Sequence, residues 1–515
     1  MFNRYLQSIK NEFHGYNLSR LSKDVMAGLT VCAVALPLAL AFGVKSGADA
    51  AAGLITAILA GILISILSGA SFQISGPTGA MMAVLIPAVA SFKLDGIFLI
   101  TLMAGFIVLL CGIFKLGKVI QFIPAPVVTG FTSGIAVTIA LTQIDDFFGT
   151  VSVGQTAIDK LLSYGELGFS PKWEAVVIGC IVIAIMVLWP KKWNAKVPSS
   201  LVGIIVATAV SLICGFSVDT VGEIPQTLMH ENRLSFSAID PATIPQMIPT
   251  AITVAALIMI ESLLCGASAK RMCAGEFDPD QELIAQGVGN MIIPFFGGVP
   301  ATAAIARTSV AIKSGCSTRL TGIIHALGLI ASMFLLAPIM SKLPLAALAG
   351  VLLMTSWRMN EWHSIKTIFG KKYKSAILQF AVTLIATVVF DLTVAIVLGV
   401  ILGAFCFLVK SMKLDISLKE DDGVTYIAVS GNLFYANISR ITKELEGRKG
   451  DICMDLEGLS GIDISASQEL LELIHDANKR GFKVSIINPR PSVHATLTRT
   501  GVMELLRKDQ APSEQ

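Results

Sequence analysis

The stretch from Ser71 to Met82, "SFQISGPTGAMM", interrupts a region in which Asp49 is the only charge between Ser46 and Phe92. Two glycines, a proline and several hydroxyls stand at a depth where lipid satisfies neither backbone nor side chains, so the broken chain has to line a cavity enclosed by protein. The surrounding sequence sets that depth. Of 515 residues, 54% are hydrophobic and 15% charged, with a mean hydropathy of +0.73, whereas an average soluble domain carries roughly 25% charged residues. This is the composition of a polytopic, mainly α-helical membrane protein. The net charge of +3 is small, and no basic run points to nucleic acid. The nine cysteines are scattered, with no CxxC pair and no metal-ligand spacing beside a histidine, so neither disulfides, nor a metal, nor another cofactor is expected. The N-terminus, with Arg4, Lys10, Arg20 and Lys23 ahead of the first apolar run, lacks the pattern of a cleaved secretory signal, and the first span is expected to be retained.

A helix crosses a bilayer with about 20 apolar residues. On that ruler the sequence predicts spans near 25–44, 50–70, 76–92, 97–114, 119–144, 174–190, 197–216, 246–269, 283–297, 300–312, 320–341, 343–356, 375–390 and 392–410. The segments 76–92 and 300–312 are too short to cross alone and open on helix-breaking or hydroxyl residues. With a cytoplasmic N-terminus, an even number of spans gives the inner loops Lys115, Lys118, Lys191, Lys192, Lys196, Lys270, Arg271, Lys313, Arg319, Arg358, Lys366, Lys371, Lys372 and Lys374. The outer loops receive Lys45, Lys93, Lys160, Lys172, Arg233 and Lys342, as the positive-inside rule requires. After Lys410 the run Met412–Phe434 alternates like strands, "ASQELLELIHDANKRG" reads as an amphipathic helix and "FKVSII" as a strand, predicting a small cytoplasmic α/β domain. The expected organisation is a cytoplasmic segment 1–24, spans 1–7 over 25–217, an extracytoplasmic loop 218–245, spans 8–14 over 246–410 and the α/β domain over 411–515.

Counted seven spans to each half, "SFQISGPTGAMM" opens the third span and "GGVPATAAIARTSVAI", Gly297–Ile312, opens the third of the second half. Glycine and proline are common in membrane helices taken singly. Two interrupted segments in matching positions are a pointer to a transporter site, where half-helix N-termini aim free N–H groups at an anion. The candidate binding residues are Ser75, Gly76, Pro77, Thr78 and Gly79 from the first break, and Thr302, Ala306, Arg307 and Thr308 from the second. Glu261, the only acid of the eighth span, is the candidate proton-coupling residue, because an ionisable group inside a membrane is expensive to keep. The competing readings are an ion pair between Glu261 and Arg307, or an Arg307 that snorkels to the cytoplasmic face. His325 is expected to be a hydrogen-bonded core histidine, Asp391 a cap at an outer boundary, and "FTSGI" (Phe131–Ile135) a small-residue packing surface.

Several longer runs carry a resemblance. "ALPLALAFGVKSG" in the first span, "ISGPTGAM" in the third, "IPAPVVTGFTSGIAV" in the fifth, "IESLLCGASA" in the eighth and the run Glu282–Val310 leading into the tenth resemble the SulP anion permeases over nearly the whole chain. The resemblance implies a seven-plus-seven inverted repeat with a core domain moving against a gate domain, an anion held between the third and tenth spans, a C-terminal STAS domain and a homodimer. "IESLLC" and "ATAAIAR" look most like the bacterial C4-dicarboxylate permeases of the family. Its bicarbonate permeases build a sodium site with an aspartate and a threonine where this chain has Glu261 and Cys265, a departure that argues against sodium coupling. In STAS-like anti-sigma antagonists a serine is phosphorylated at the place of Ile464, so no phosphoserine switch is expected there. Ser465 and Ser467 are expected to cap the helix that follows.

Together these readings predict a secondary active transporter of small anions in a bacterial inner membrane, lipid-embedded, not an enzyme, with both termini cytoplasmic. Proton coupling through Glu261 is expected, and a C4-dicarboxylate or sulfate as substrate. The alternatives are a bicarbonate transporter, sodium- or proton-coupled, and a passive anion channel.

Overall fold

The computed structural model describes residues 2–118, 124–154, 157–190, 197–224, 226–238, 241–273, 276–390, 392–421, 423–445 and 450–510. Asp391 lies outside the described residues. The chain divides into two units, Met1–Val400 and Ile401–Gln515. This division falls inside the last apolar helix, where Ile401, Phe405, Phe407 and Leu408 are each more than half exposed in the isolated chain.

The first unit is helical. Its elements are α1 (Phe2–Glu12), α2 (Leu18–Lys45), α3 (Ala50–Leu67), β1 (Ser75–Gly76), α4 (Gly79–Ile113), α5 (Ala125–Thr142), α6 (Ala157–Leu167), α7 (Trp173–Leu188) and α8 (Ser199–Cys214). There follow α9 (Ile244–Met272), α10 (Pro279–Ile292), β2 (Thr302–Ala303), α11 (Ile305–Lys313), α12 (Leu320–Met340), α13 (Leu345–Met359), α14 (Trp362–Gly370), α15 (Lys374–Val389) and α16 (Leu392–Ser411). Each apolar segment read from the sequence has its helix. Among the described residues six helices are long and apolar enough to cross a membrane alone, and shorter apolar helices accompany them. Two expectations change in detail. The segments 76–92 and 97–114 are joined in α4, which breaks where Lys93 takes φ 58°. The segment 300–312 stays extended to Ala304 and becomes helical only at Ile305.

The helices sort by packing. α4 lies against α9 and α10, and α2 against α3 and α12, whereas α5 lies against α15, and α7 against α8 and α13. Spans from both sequence halves thus enter each group. The "FTSGI" run acts as expected at Gly134, where a Cβ would stand 2.5 Å from Thr387 Cβ, and Gly130 just before it does the same, where a Cβ would stand 2.5 Å from the Phe380 carbonyl oxygen, so only glycine lets α5 and α15 approach this closely. The same logic holds at the crossing of α2 and α3, where a Cβ on Gly53 would lie 2.0 Å from the Ala39 carbonyl oxygen and 2.7 Å from Gly43 Cα. Backbone cannot yield as a side-chain tip can. Gly53→Ala is expected to destabilise the helical unit by about 3 kcal/mol or more, measured as a fall in melting temperature of the detergent-solubilised protein. Gly165→Ala, which meets nothing within 4 Å in the exposed helix α6, is the control and should stabilise slightly.

The N-terminal segment is tied down by an acid not singled out above. Asp24 is fully buried and accepts from Ser317 N (2.6 Å), Thr318 N (3.0 Å), Thr318 Oγ1 (2.7 Å), Thr321 Oγ1 (3.0 Å) and Tyr16 OH (2.9 Å). Glu12 accepts from Arg319 Nε at 2.9 Å. With Ser317 Oγ (3.1 Å) as a sixth donor, the one carboxylate of Asp24 satisfies the turn that opens α12 and joins it to the start of α2.

The second unit is an α/β domain. Strands β3 (Leu414–Asp421), β4 (Val424–Leu433), β5 (Asp451–Asp455) and β7 (Val484–Ile487) form a sheet in the order β3-β4-β5-β7, with β6 (Leu459–Ile462) also on β4. β3 is antiparallel and the other pairings are parallel. Alternation in β4 buries Thr425, Ile427 and Val429, and the last two share one apolar core with Leu470 and Ile474 of the helix Ile464–Lys479. That helix is capped by Asp463, whose carboxylate accepts from Ala466 N at 2.6 Å. Ser467 instead is buried against Thr500 Oγ1 at 2.6 Å, because a serine one turn inside a helix points its hydroxyl away from the free N–H groups. With its own core, residues 411–515 are expected to fold alone, seen as a single cooperative unfolding transition of the isolated segment.

Candidate functional site

The two breaks in the helical unit meet as a pair of two-residue strands. β1 and β2 are antiparallel, with Ser75 opposite Ala303 and Gly76 opposite Thr302, so backbone that cannot be helical finds partners in the other break. Each strand leads into a helix, α4 from Gly79 and α11 from Ile305, and neither helix has a side-chain cap. At α4 the reason is visible. Thr78 occupies the cap position, but its Oγ1 donates to Glu261 Oε2 at 2.8 Å. The N–H groups of both first turns are therefore left to whatever enters the site, and both helix dipoles are positive there.

Arg307 is 1% exposed and Nη2 donates to the Pro77 carbonyl at 2.6 Å, so it does not snorkel. Its guanidinium lies under Gly76, where a Cβ would stand 2.5 Å from Nη1. The side chain thus crosses from the second half-helix to the strand of the first. Among the described residues no ion pair joins it to Glu261; the two are separate members of one site, and Thr78 stands between the acid and the helix terminus.

The remaining candidates divide. Thr78 and Gly79 stand at the first helix start and Ala306, which is exposed, at the second. Ser75, Thr302 and Thr308 turn their hydroxyls away to brace the strands. Ser75 Oγ accepts from Gln286 Nε2 (2.8 Å), Thr302 Oγ1 meets Ser262 Oγ (3.0 Å), and Thr308 Oγ1 accepts from Ile74 N (3.0 Å) and from Cys265 Sγ–H (3.3 Å). Sequence reasoning missed Ser262, Gln286 and Asn290. The readable signal was Glu282, Gln286 and Asn290 at intervals of four on one face of α10. His325 is in the core, as expected, but neither ring nitrogen has a hydrogen-bond partner among the described residues.

A cavity of about 270 Å³ lies farther along α4, lined by Ala83, Ser91, Thr138, Thr142, Lys160 and Thr253 among others. None of the candidate residues lines it. Ile139 packs on the first turn of α4, where a Cβ on Gly79 would be 2.2 Å from Ile139 Cδ1.

Paired interrupted helices with uncapped N-termini and a buried arginine, inside a bundle of apolar helices, define a membrane transporter of anions. The chain belongs to the Sulfate permease family, whose profile matches residues 21–383, and the STAS domain profile matches residues 415–513. It is similar to YvdB of Bacillus subtilis, 31% identical with 96% of this chain and 97% of YvdB covered. The bicarbonate transporter BicA of Picosynechococcus is 32% identical, with 76% of this chain and 70% of BicA covered. The fold matches murine Slc26a9, an anion transporter solved in the inward-facing state, with a TM-score of 0.82 at 16% identity over 95% of this chain and 89% of that one. This protein is an anion transporter of the SulP family with a C-terminal STAS domain.

Proposed function

We propose that the protein is a proton-coupled secondary active transporter of a small oxyanion, sulfate or a C4-dicarboxylate. The observation that carries this reading is the site itself: two uncapped half-helix N-termini and buried Arg307 supply positive potential, and the carboxyl group of Glu261 is hydrogen-bonded through Thr78 to one of those termini. A carboxyl group so placed exchanges a proton in step with the anion. The anion meets backbone N–H groups at Thr78 and Gly79 and at Ala306 and Arg307, that of Thr308 being donated to the Ala304 carbonyl (2.9 Å). Bicarbonate is the second reading, favoured by the likeness to BicA. The setting we propose is a bacterial inner membrane, with fourteen spans as a seven-plus-seven repeat, both termini cytoplasmic and a homodimer in lipid.

Uptake of labelled sulfate, succinate and bicarbonate into proteoliposomes tests the proposal. One of them should accumulate when the pH is lowered on the side of entry. Flux that only runs down the anion's own gradient, with no response to a pH step, identifies a passive channel instead.

A further inference from the structure

Glu282, Gln286 and Asn290 are fully buried and stand one above another on α10. Glu282 accepts from Ser68 Oγ (2.6 Å) and Gly69 N (3.1 Å) at the end of α3. Its other oxygen, Oε1, accepts from Gln286 Nε2 (2.9 Å), which fixes the orientation of that amide, and the same Nε2 donates to Ser75 Oγ in β1 (2.8 Å). Asn290 grips the approach to β2 by both backbone groups of one residue: Oδ1 accepts from Ala301 N (2.7 Å) and Nδ2 donates to Ala301 O (2.9 Å). One face of one helix therefore holds both breaks, at points four residues or about 6 Å apart along its axis.

Resting on the anion site proposed above, we infer that α10 is the ruler of that site, and that Gln286 and Asn290 are positioning residues that determine which anion it selects. The strands β1 and β2 pair over only two residues, one of them glycine, and so short a ladder specifies its register weakly. Register fixes the offset between the first turns of α4 and α11. Backbone N–H groups carry no chemical preference among oxyanions, so discrimination between a compact tetrahedral anion and a longer dicarboxylate lies in that offset. Gln286 sets the position of the first frame and Asn290 that of the second, and their spacing is that of a rigid helical turn.

The test changes arm length while keeping the amide. Gln286→Asn and Asn290→Gln shorten and lengthen the arms by one methylene, and Ser75→Ala removes the oxygen at the far end of the first arm. Kd values for sulfate, bicarbonate and succinate are measured by calorimetry on the full-length chain in nanodiscs. The expected result is a shift of about tenfold in the ratio of sulfate to succinate Kd, with Ser75→Ala and Gln286→Asn non-additive in the double variant. Equal changes in every Kd, or ratios within about twofold of wild type, overturn the inference and leave α10 as plain scaffold. Should Gln286→Asn fail to fold, Ser75→Ala alone must shift the ratio, and an unchanged ratio overturns the inference. Wild-type protein that binds none of the three overturns the anion-site reading itself, a result distinct from wild-type binding with unchanged ratios.

Discussion

Arg307→Ala should weaken anion binding about 100-fold and lower the stability of the helical unit at the same time. Both effects have one origin. Among the described residues Arg307 is the cation buried at the meeting of the two breaks, and its loss removes a full charge where solvent screens little. Its Nη2 is also the hydrogen-bond partner of the Pro77 carbonyl, and truncation leaves that oxygen unpaired above a new cavity, at a cost of about 3 kcal/mol. Arg307→Lys separates the contributions. Lysine keeps the charge but not the fork that reaches across to β1, so affinity is largely retained if the charge acts on the anion, and lost as in the alanine variant if the brace is what matters. Calorimetric titration paired with thermal unfolding reads both quantities. Unchanged affinity in Arg307→Ala rules out a direct electrostatic role.

The helical segments and the two breaks were legible in the sequence because each rests on a local signal: apolar length for a span, Gly and Pro for an interruption. The position of Arg307 within the second break was legible too. Its direction was not. A sequence does not show that the guanidinium runs under Gly76 to a carbonyl 230 residues away, or that β1 and β2 pair, since a two-residue strand has no periodicity to detect. For the same reason Ser75, Thr302 and Thr308 read as free donors, when each is held by a residue from α9, α10 or the chain before β1. Hydroxyls near a functional break are as readily spent on holding the backbone as on meeting a ligand. The misplaced cap in the α/β domain has a similar cause. Asp463 and Ser465 are both good caps by type, and only the point at which the chain leaves the strand Leu459–Ile462 decides between them.

Glu261→Gln should retain anion binding and exchange while losing proton-driven accumulation. The structural half of that expectation follows from the contact at the site: Thr78 Oγ1 donates to Glu261 Oε2 at 2.8 Å, and the carbonyl oxygen of glutamine accepts the same hydrogen bond in the same place. The fold around the half-helix is therefore preserved. What glutamine cannot do is change charge. In wild type the ionised carboxylate opposes an incoming anion beside the same helix terminus, and the protonated form does not, so anion occupancy and proton occupancy favour one another. A pH step of one unit supplies about 1.4 kcal/mol per proton, enough for roughly tenfold accumulation at one proton per anion charge balanced. The variant behaves as permanently neutral: it binds, it exchanges anion for anion, and a pH step leaves its steady-state level where the anion gradient alone puts it. The measurement is concentrative uptake into vesicles under an imposed pH step, with counterflow of labelled anion as the control for intact binding and movement. Equal accumulation by variant and wild type would make Glu261 a structural partner of Thr78, with the coupling proton carried by another group.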